Sequence, residues 1–336
     1  MPPSPLSPQV SIVVPLYNGA DRIERALDSV RAQTHAAWEL FVVDDCSSDA
    51  GPEIVRDYIS RTADHRITLV VQAENRGPSA VRNDGVRMAN GQFIMFLDCD
   101  DELLPGALTH LLGLAAGGPV DIVGGAHIAR TDSGRLSPRP DSQTGSMTGV
   151  EAVQGLLQER IWNYTHGKIY SRQLLQSVSF REDIRRYEDI IFNACAFSYS
   201  KQVVLSAEPV HVYSINGQST TWTQRLTADF VHDTEAHIRE GLNPDVAPQV
   251  SGKSWRTMRA TLAVVVLSNA IAGDAEPAVL SELRRVLRRN VKMTDLPDVV
   301  RTAPLIGISA LVARVAPRIY AWLYRRYVAR TYELGA

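Results

Sequence analysis

Asp98, Asp100 and Asp101 fall within four residues of the stretch GQFIMFLDCDDELLPG (91–106), directly after the apolar run 93–97. A strand presents every second side chain on the same side, so Asp98 and Asp100 point together. Two carboxylates at that spacing suit a hard divalent cation such as Mg²⁺ or Mn²⁺, whose shell is completed by water and substrate phosphates. Helix capping ahead of Pro105 is the alternative use of such acids, and for Asp101 both readings stand. Capping needs one carboxylate rather than three, so Asp98 and Asp100 together read as metal ligands.

The elements that position them are an alternation of apolar strands and helices. Strands are expected at 10–18, 38–45, 66–72, 92–98 and 120–129. Helices are expected at 21–33, 52–59, 78–89 and 105–116. Continuous apolar strands between helices imply an α/β fold, a Rossmann-like, mostly parallel sheet covered on both faces. Ligands of such sheets sit at the carboxyl ends of the strands, where PLYN, DDCSSD and DCDD should converge. A polar Gly/Ser/Pro-rich excursion at 130–147 marks a boundary, and beyond it the alternation weakens into helices at 149–159 and around 187–200, then a strand ending near Ser214. Residues 225–290 read as helical.

The chain has 35 Lys and Arg against 37 Asp and Glu, a net charge of -2, which argues against a nucleic-acid partner. Cys46, Cys99 and Cys195 have no disulfide or zinc spacing. With no apolar leader segment in view, the expectation is a cytoplasmic protein. Asp-x-Asp after a strand also occurs in haloacid-dehalogenase phosphatases, but there near the N-terminus and followed by Gly-Thr. Here Asp101-Glu102-Leu103-Leu104 follows, almost a hundred residues in. No GxGxxG occurs, and Gly252-Lys253-Ser254 imitates a phosphate loop whose first position is Ala247.

Taken together, VSIVVPLYNGADRIERALDSVRAQTHAAWELFVVDDCSSDAG and NRGPSAVRNDGVRMANGQFIMFLDCDDELLPGAL resemble glycosyltransferase family 2, inverting enzymes of the GT-A fold. The resemblance runs nearly unbroken over 9–112, with five motifs in order, and continues more loosely over 160–221. It implies that Pro15, Tyr17, Asn18, Asp45, Arg82, Asp98 and Cys99 contact the nucleotide-sugar. By the same token Asp98 and Asp100 hold Mn²⁺ or Mg²⁺ against the diphosphate, with His211 as a third ligand. Arg82 is expected to face the diphosphate or base, and Asp45 the uracil N–H. In RRYEDIIFNACAF the resemblance assigns Asp189 as general base and Glu188 as its runner-up, orienting the acceptor. Their alternative is charge at a helix N-terminus. Trp162 and Lys168 are acceptor-side candidates, while His166 is not expected to be a ligand. Ser214-Ile215-Asn216-Gly217 departs from the family, which often has basic residues there.

The domain expectation is a disordered segment at 1–8, a GT-A domain at 9–222 with a nucleotide half (9–129) and an acceptor half (130–222), and a helical extension at 223–336. The function expected is metal-assisted transfer of a sugar, from a UDP-sugar donor, to a glycan, lipid-linked or small-molecule acceptor in the cell envelope. A dehalogenase-like phosphotransferase and a non-catalytic nucleotide-sugar-binding module are the alternatives. Eleven basic residues, interleaved with Trp322 and Tyr side chains over 282–330, point to peripheral contact with a membrane, packing on protein being the other reading.

Overall fold

The computed structural model describes residues 8–131, 133–184, 186–215 and 226–331. Residues 1–7 of the N-terminal segment and the Asn216-Gly217 departure lie outside them. The chain divides into two compact units. One takes in residues up to 130, then 136–149 and 163–214; the other takes in 131–135, 150–162 and 215 onward.

The first unit opens with β1 (Val10–Leu16), α1 (Ile23–Arg31), β2 (Trp38–Asp44), α2 (Gly51–Thr62), β3 (Ile67–Val71), α3 (Pro78–Met88) and β4 (Phe93–Phe96). Short β5 (Glu102–Leu103), α4 (Ala107–Ala115) and β6 (Ile122–Arg130) follow. The excursion after 130 forms β7 (Leu136–Arg139) and β8 (Gly145–Met147), before the chain passes through α5 (Gly149–Leu157), whose residues from 150 on belong to the second unit. β9 (Lys168–Ser171), α6 (Glu188–Tyr199) and β10 (Val203–Ser214) complete this part.

The strand order is β3-β2-β1-β4-β9-β6-β10-β5. β3, β2, β1 and β4 pair in parallel, and so do β6 and β10. β9 runs antiparallel between β4 and β6, an element the apolar pattern did not predict within the mostly parallel sheet. Only four residues long, β9 carries no periodic signal, and its partners are distant in sequence.

The continuous apolar strands are explained by what covers them. Ile12, Val14 and Leu16 pack with Leu27, Val55, Tyr58 and Leu108 of α1, α2 and α4, whereas Phe41 and Val43 pack with Val81 of α3 on the opposite face. α3 lies so close that a methyl group on Gly85 would press into both methyls of Val13, at 2.7 Å from Cγ2. The chain leaves β1 toward β2 and β3, then returns to β4 on the other side of β1. That reversal opens a crevice at the carboxyl ends of β1 and β4.

The second unit is helical: α7 (Phe230–Gly241), α8 (Gly252–Ala272), α9 (Pro277–Asn290), α10 (Leu296–Thr302), α11 (Pro304–Val315) and α12 (Pro317–Thr331). α8 is buried along most of its length and packed by the other five, which explains why its sequence is apolar on every side. Gly252-Lys253-Ser254, the phosphate-loop imitation, is simply its first turn, with the Ser251 hydroxyl accepting from the Ser254 N–H at 3.2 Å. Residues 150–162, attached by sequence pattern to the sheet-bearing half, belong to this helical unit, where Gln158 donates to the Ser254 hydroxyl at 2.7 Å. Among the described residues no helix is long and apolar enough to cross a membrane.

Candidate active site

Three strand ends build the first wall. After β1, Tyr17 is exposed and Asn18 takes a left-handed backbone, φ 48°. After β2, Cys46 does the same at φ 59°. Non-glycine residues rarely adopt this conformation, and it persists only where neighbours enforce it. Here the two loops enforce each other. The Asn18 N–H donates to the Ser47 hydroxyl and the Ser48 N–H to Asn18 Oδ1, both at 2.9 Å. Asp44 takes the Ser47 N–H at 3.1 Å, so Asp44 and Ser47 shape the loop. Asp45 accepts the N–H groups of Arg76 and Gly77 at 2.7 and 2.8 Å, fixing the turn into α3. Half-buried Pro15 sits near the end of β1, paired in register with Val43.

Arg82 joins the first wall to the second. It projects from α3, is buried, and lies with its guanidinium 5.3 Å from the Phe180 ring. Nη2 donates to Asp98 Oδ1 at 2.9 Å and Nη1 to Glu188 Oε1 at 3.1 Å, with Asp189 Oδ1 at 3.6 Å. The sequence expectation aimed this guanidinium at diphosphate or base. In the structure it faces three carboxylates, which offset the cost of burying its charge.

Glu188 and Asp189 open α6, whose preceding residue, Tyr187, is left-handed at φ 56°. Asp189 also accepts from the Thr165 N–H at 3.3 Å and lies 3.5 Å from the Thr165 hydroxyl. Burial pushes its carboxyl up to about 7; Arg82 works against that shift, while Glu188 and Asp98 add to it. Within α6, Asn193 ties Tyr170 to the Asn163 carbonyl, both bonds at 2.8 Å. Phe96, Tyr170, Phe180 and Phe192 close in an aromatic cluster beneath.

The remaining acids differ in their surroundings. Asp100 has Arg22 at 3.8 Å, beyond hydrogen-bonding distance. Burial first, then the charges of Asp101 and Asp98, push its carboxyl up to about 7. Asp101 is fully buried and accepts from the Ser214 N–H at 2.8 Å, with His211 Nε2 also at 2.8 Å. It therefore does not cap α4, which begins after left-handed Gly106 without a side-chain cap. His166 stacks on His211 with centroids 4.3 Å apart, and ligand atoms of Asp101, His166 and His211 all lie within 4.8 Å of one another. His166 Nε2 and His211 Nδ1 are buried with no protein partner. Burial lowers the proton affinity of both rings, that of His211 to about 4. These neutral imidazoles and uncompensated carboxylates form a donor set that fits a divalent cation. The sequence reading set His166 aside, since nothing local announces a partner forty-five positions away.

Other expected residues stand elsewhere. The Cys99 thiol packs against the apolar core under Gly19. Lys168 is buried at the start of β9 and donates to the Tyr164 carbonyl at 2.6 Å, occupied rather than presented to an acceptor. Trp162 is half-buried and belongs to the helical unit.

A switch-point crevice rimmed by carboxylates, on a sheet of this order, defines a GT-A glycosyltransferase fold. Solved structures agree. The fold matches TarS of S. aureus in complex with UDP-GlcNAc at TM-score 0.66 and 19% identity, over 97% of this chain and 91% of that one. It also matches the mannosyltransferase PcManGT of Pyrobaculum calidifontis, in complex with GDP-Man and Mn²⁺, at TM-score 0.51 and 20% identity, over 99% and 90% of the two chains. The model of glycosyl transferase family 2 matches residues 11–181, and the chain belongs to that family. The uncharacterized glycosyltransferase EpsJ of Bacillus subtilis is 34% identical over 64% of this chain, a match spanning 63% of its own length and so short of two thirds. The succinoglycan biosynthesis protein ExoO of Rhizobium meliloti is 28% identical over 77% of this chain and 76% of its own.

Proposed function

We propose that the chain is an inverting glycosyltransferase, moving a sugar from a UDP-sugar to an acceptor hydroxyl during synthesis of a cell-envelope polysaccharide. The observation that carries this reading is the Arg82 junction, in which one buried guanidinium binds Asp98 at the end of β4 and both acids at the start of α6. It holds the carboxylate expected at the donor within one network with the carboxylate expected at the acceptor. Family membership supports the reaction class, the ExoO match supports polysaccharide synthesis, and the UDP-GlcNAc held by TarS supports the nucleotide.

In this reading Tyr17 offers its exposed ring to the base, and Asn18, Asp45 and Pro15 fix the loops around base and ribose. Asp98 and Asp100 would hold Mn²⁺ or Mg²⁺, with His211 as a third ligand beside Asp101 and His166. Bound there, the ion neutralises charge on the departing diphosphate. Asp189 takes the proton from the acceptor hydroxyl as its oxygen attacks the anomeric carbon and the bond to UDP breaks on the opposite face. A carboxyl that titrates near neutrality is matched to that task. Glu188, held by Arg82 at 3.1 Å, orients the acceptor.

The test is UDP release from a panel of UDP-sugars with Mn²⁺, Mg²⁺ or EDTA, alongside calorimetry of UDP with metal. Slow, metal-dependent release from one donor is expected, together with loss of metal-dependent UDP binding in Asp100→Ala. Binding without turnover, for any donor or acceptor, would leave a non-catalytic module. Failure to bind UDP at all would sink the donor assignment.

A further inference from the structure

Helix α11 buries small residues and exposes large ones, the reverse of an ordinary surface helix. In α11, Gly307, Ala310 and Ala313 are buried, whereas Leu305, Ile308, Leu311 and Val315 are 81%, 51%, 38% and 68% exposed. Their spacing of three to four places them on one stripe. The small face is used up in a close crossing with α10, where a methyl on Gly307 would lie 2.7 Å from both Cα and N of Val300. α12 carries the exposed stripe onward with Ile319, Trp322 and Leu323, while Tyr320 turns inward to meet the Ser268 hydroxyl at 2.7 Å. A contiguous apolar surface of this kind marks an interaction site.

Charge selects the occupant. Residues 282–330 hold eleven Lys and Arg against three Asp and Glu, in a chain whose net charge is -2. Arg318, Arg325, Arg326 and Arg330 are exposed among the apolar residues of α12, and Arg326 lies 4.9 Å from the Trp322 ring. A second copy of the chain would bring two such cationic faces together, which like-charge repulsion opposes. An anionic lipid surface answers both features at once. At 12 residues α11 is far too short to span a bilayer, so it must lie in the interfacial plane, with Trp322 at headgroup level.

We propose that the α11–α12 face docks the protein on an anionic membrane. The experiment sediments the full chain with vesicles of phosphatidylcholine alone, or of phosphatidylcholine with phosphatidylglycerol, across a salt series. Binding only to the anionic vesicles, falling with salt, is expected for the unaltered chain. Arg318→Gln with Arg326→Gln should weaken it at least about tenfold, from about 1 kcal/mol per basic residue at the surface. Leu305→Glu with Trp322→Glu should abolish it, while far-ultraviolet dichroism and acceptor-free UDP release stay unchanged. Absence of binding by the unaltered chain, or equal binding to both vesicle types, overturns the proposal. So does a dimer, seen by light scattering, that the Glu substitutions disperse.

Discussion

Two groups of carboxylates sit a few residues apart at the end of β4, and they differ in whether the protein supplies their cation. Asp98, Glu188 and Asp189 share the buried guanidinium of Arg82, at 2.9, 3.1 and 3.6 Å. Asp100 and Asp101 have no such partner at hand: Arg22 stays 3.8 Å from Asp100, and Asp101 faces an imidazole that burial keeps neutral. Burial makes isolated charge costly, so the first group carries a cation of the protein's own, whereas the second has none within hydrogen-bonding distance and matches the proposed metal site, which Asp98 borders from the first group.

The largest effect should come from Asp189→Asn, which keeps the shape of the first group and removes the proposed base. Turnover should fall about 10²- to 10⁴-fold while UDP binding, read by calorimetry, is retained. If the variant transferred sugar normally, the base would lie elsewhere. Next is Arg82→Ala, which strands three carboxylates without their cation and should cost about 3–5 kcal/mol of stability in urea unfolding. Were Arg82→Ala to melt like the unaltered chain, the first group would not depend on a cation of the protein's own.

The pH profile comes third. Asp189 must be ionised to accept a proton, and its carboxyl sits near 7, so turnover should rise about tenfold per pH unit below 7 and level off above. Glu188 contributes to that upward shift, so Glu188→Gln should move the rising limb to lower pH. An unmoved limb would assign it to another group. The smallest effect expected is that of Tyr17→Ala, about 1–3 kcal/mol of UDP affinity if its ring stacks on the base.

Much of the first unit was legible because its signals are local. Val10–Leu16 and Trp38–Asp44 are apolar runs that suit a doubly covered strand, and the helix between them repeats its apolar residues at Ile23, Ala26, Leu27 and Val30. The acids were legible by type and spacing. Their partners were not, since Asp101 and His211 meet across more than a hundred residues and Arg82 reaches Glu188 across a similar span. β9 was missed for the same reason, as its pairing with β4 and β6 is settled by the sheet and not by its own four residues. In the tail, composition announced Arg and aromatic residues, but which face of α11 lies outward depends on Val300 accommodating Gly307. No period in the sequence encodes that choice.

Gly85 sets the position of everything Arg82 touches. It lies three residues beyond Arg82 on α3, and its missing methyl is what lets the helix rest on Val13. The depth at which the guanidinium enters the carboxylate group is thus gauged by the radius of a valine side chain that meets the helix one turn further along. Gly85→Ala would act as a shim under a lever. The helix would lift, Arg82 would retreat from Asp98 and Glu188 together, and a substitution touching no charged atom would loosen both walls of the site at once.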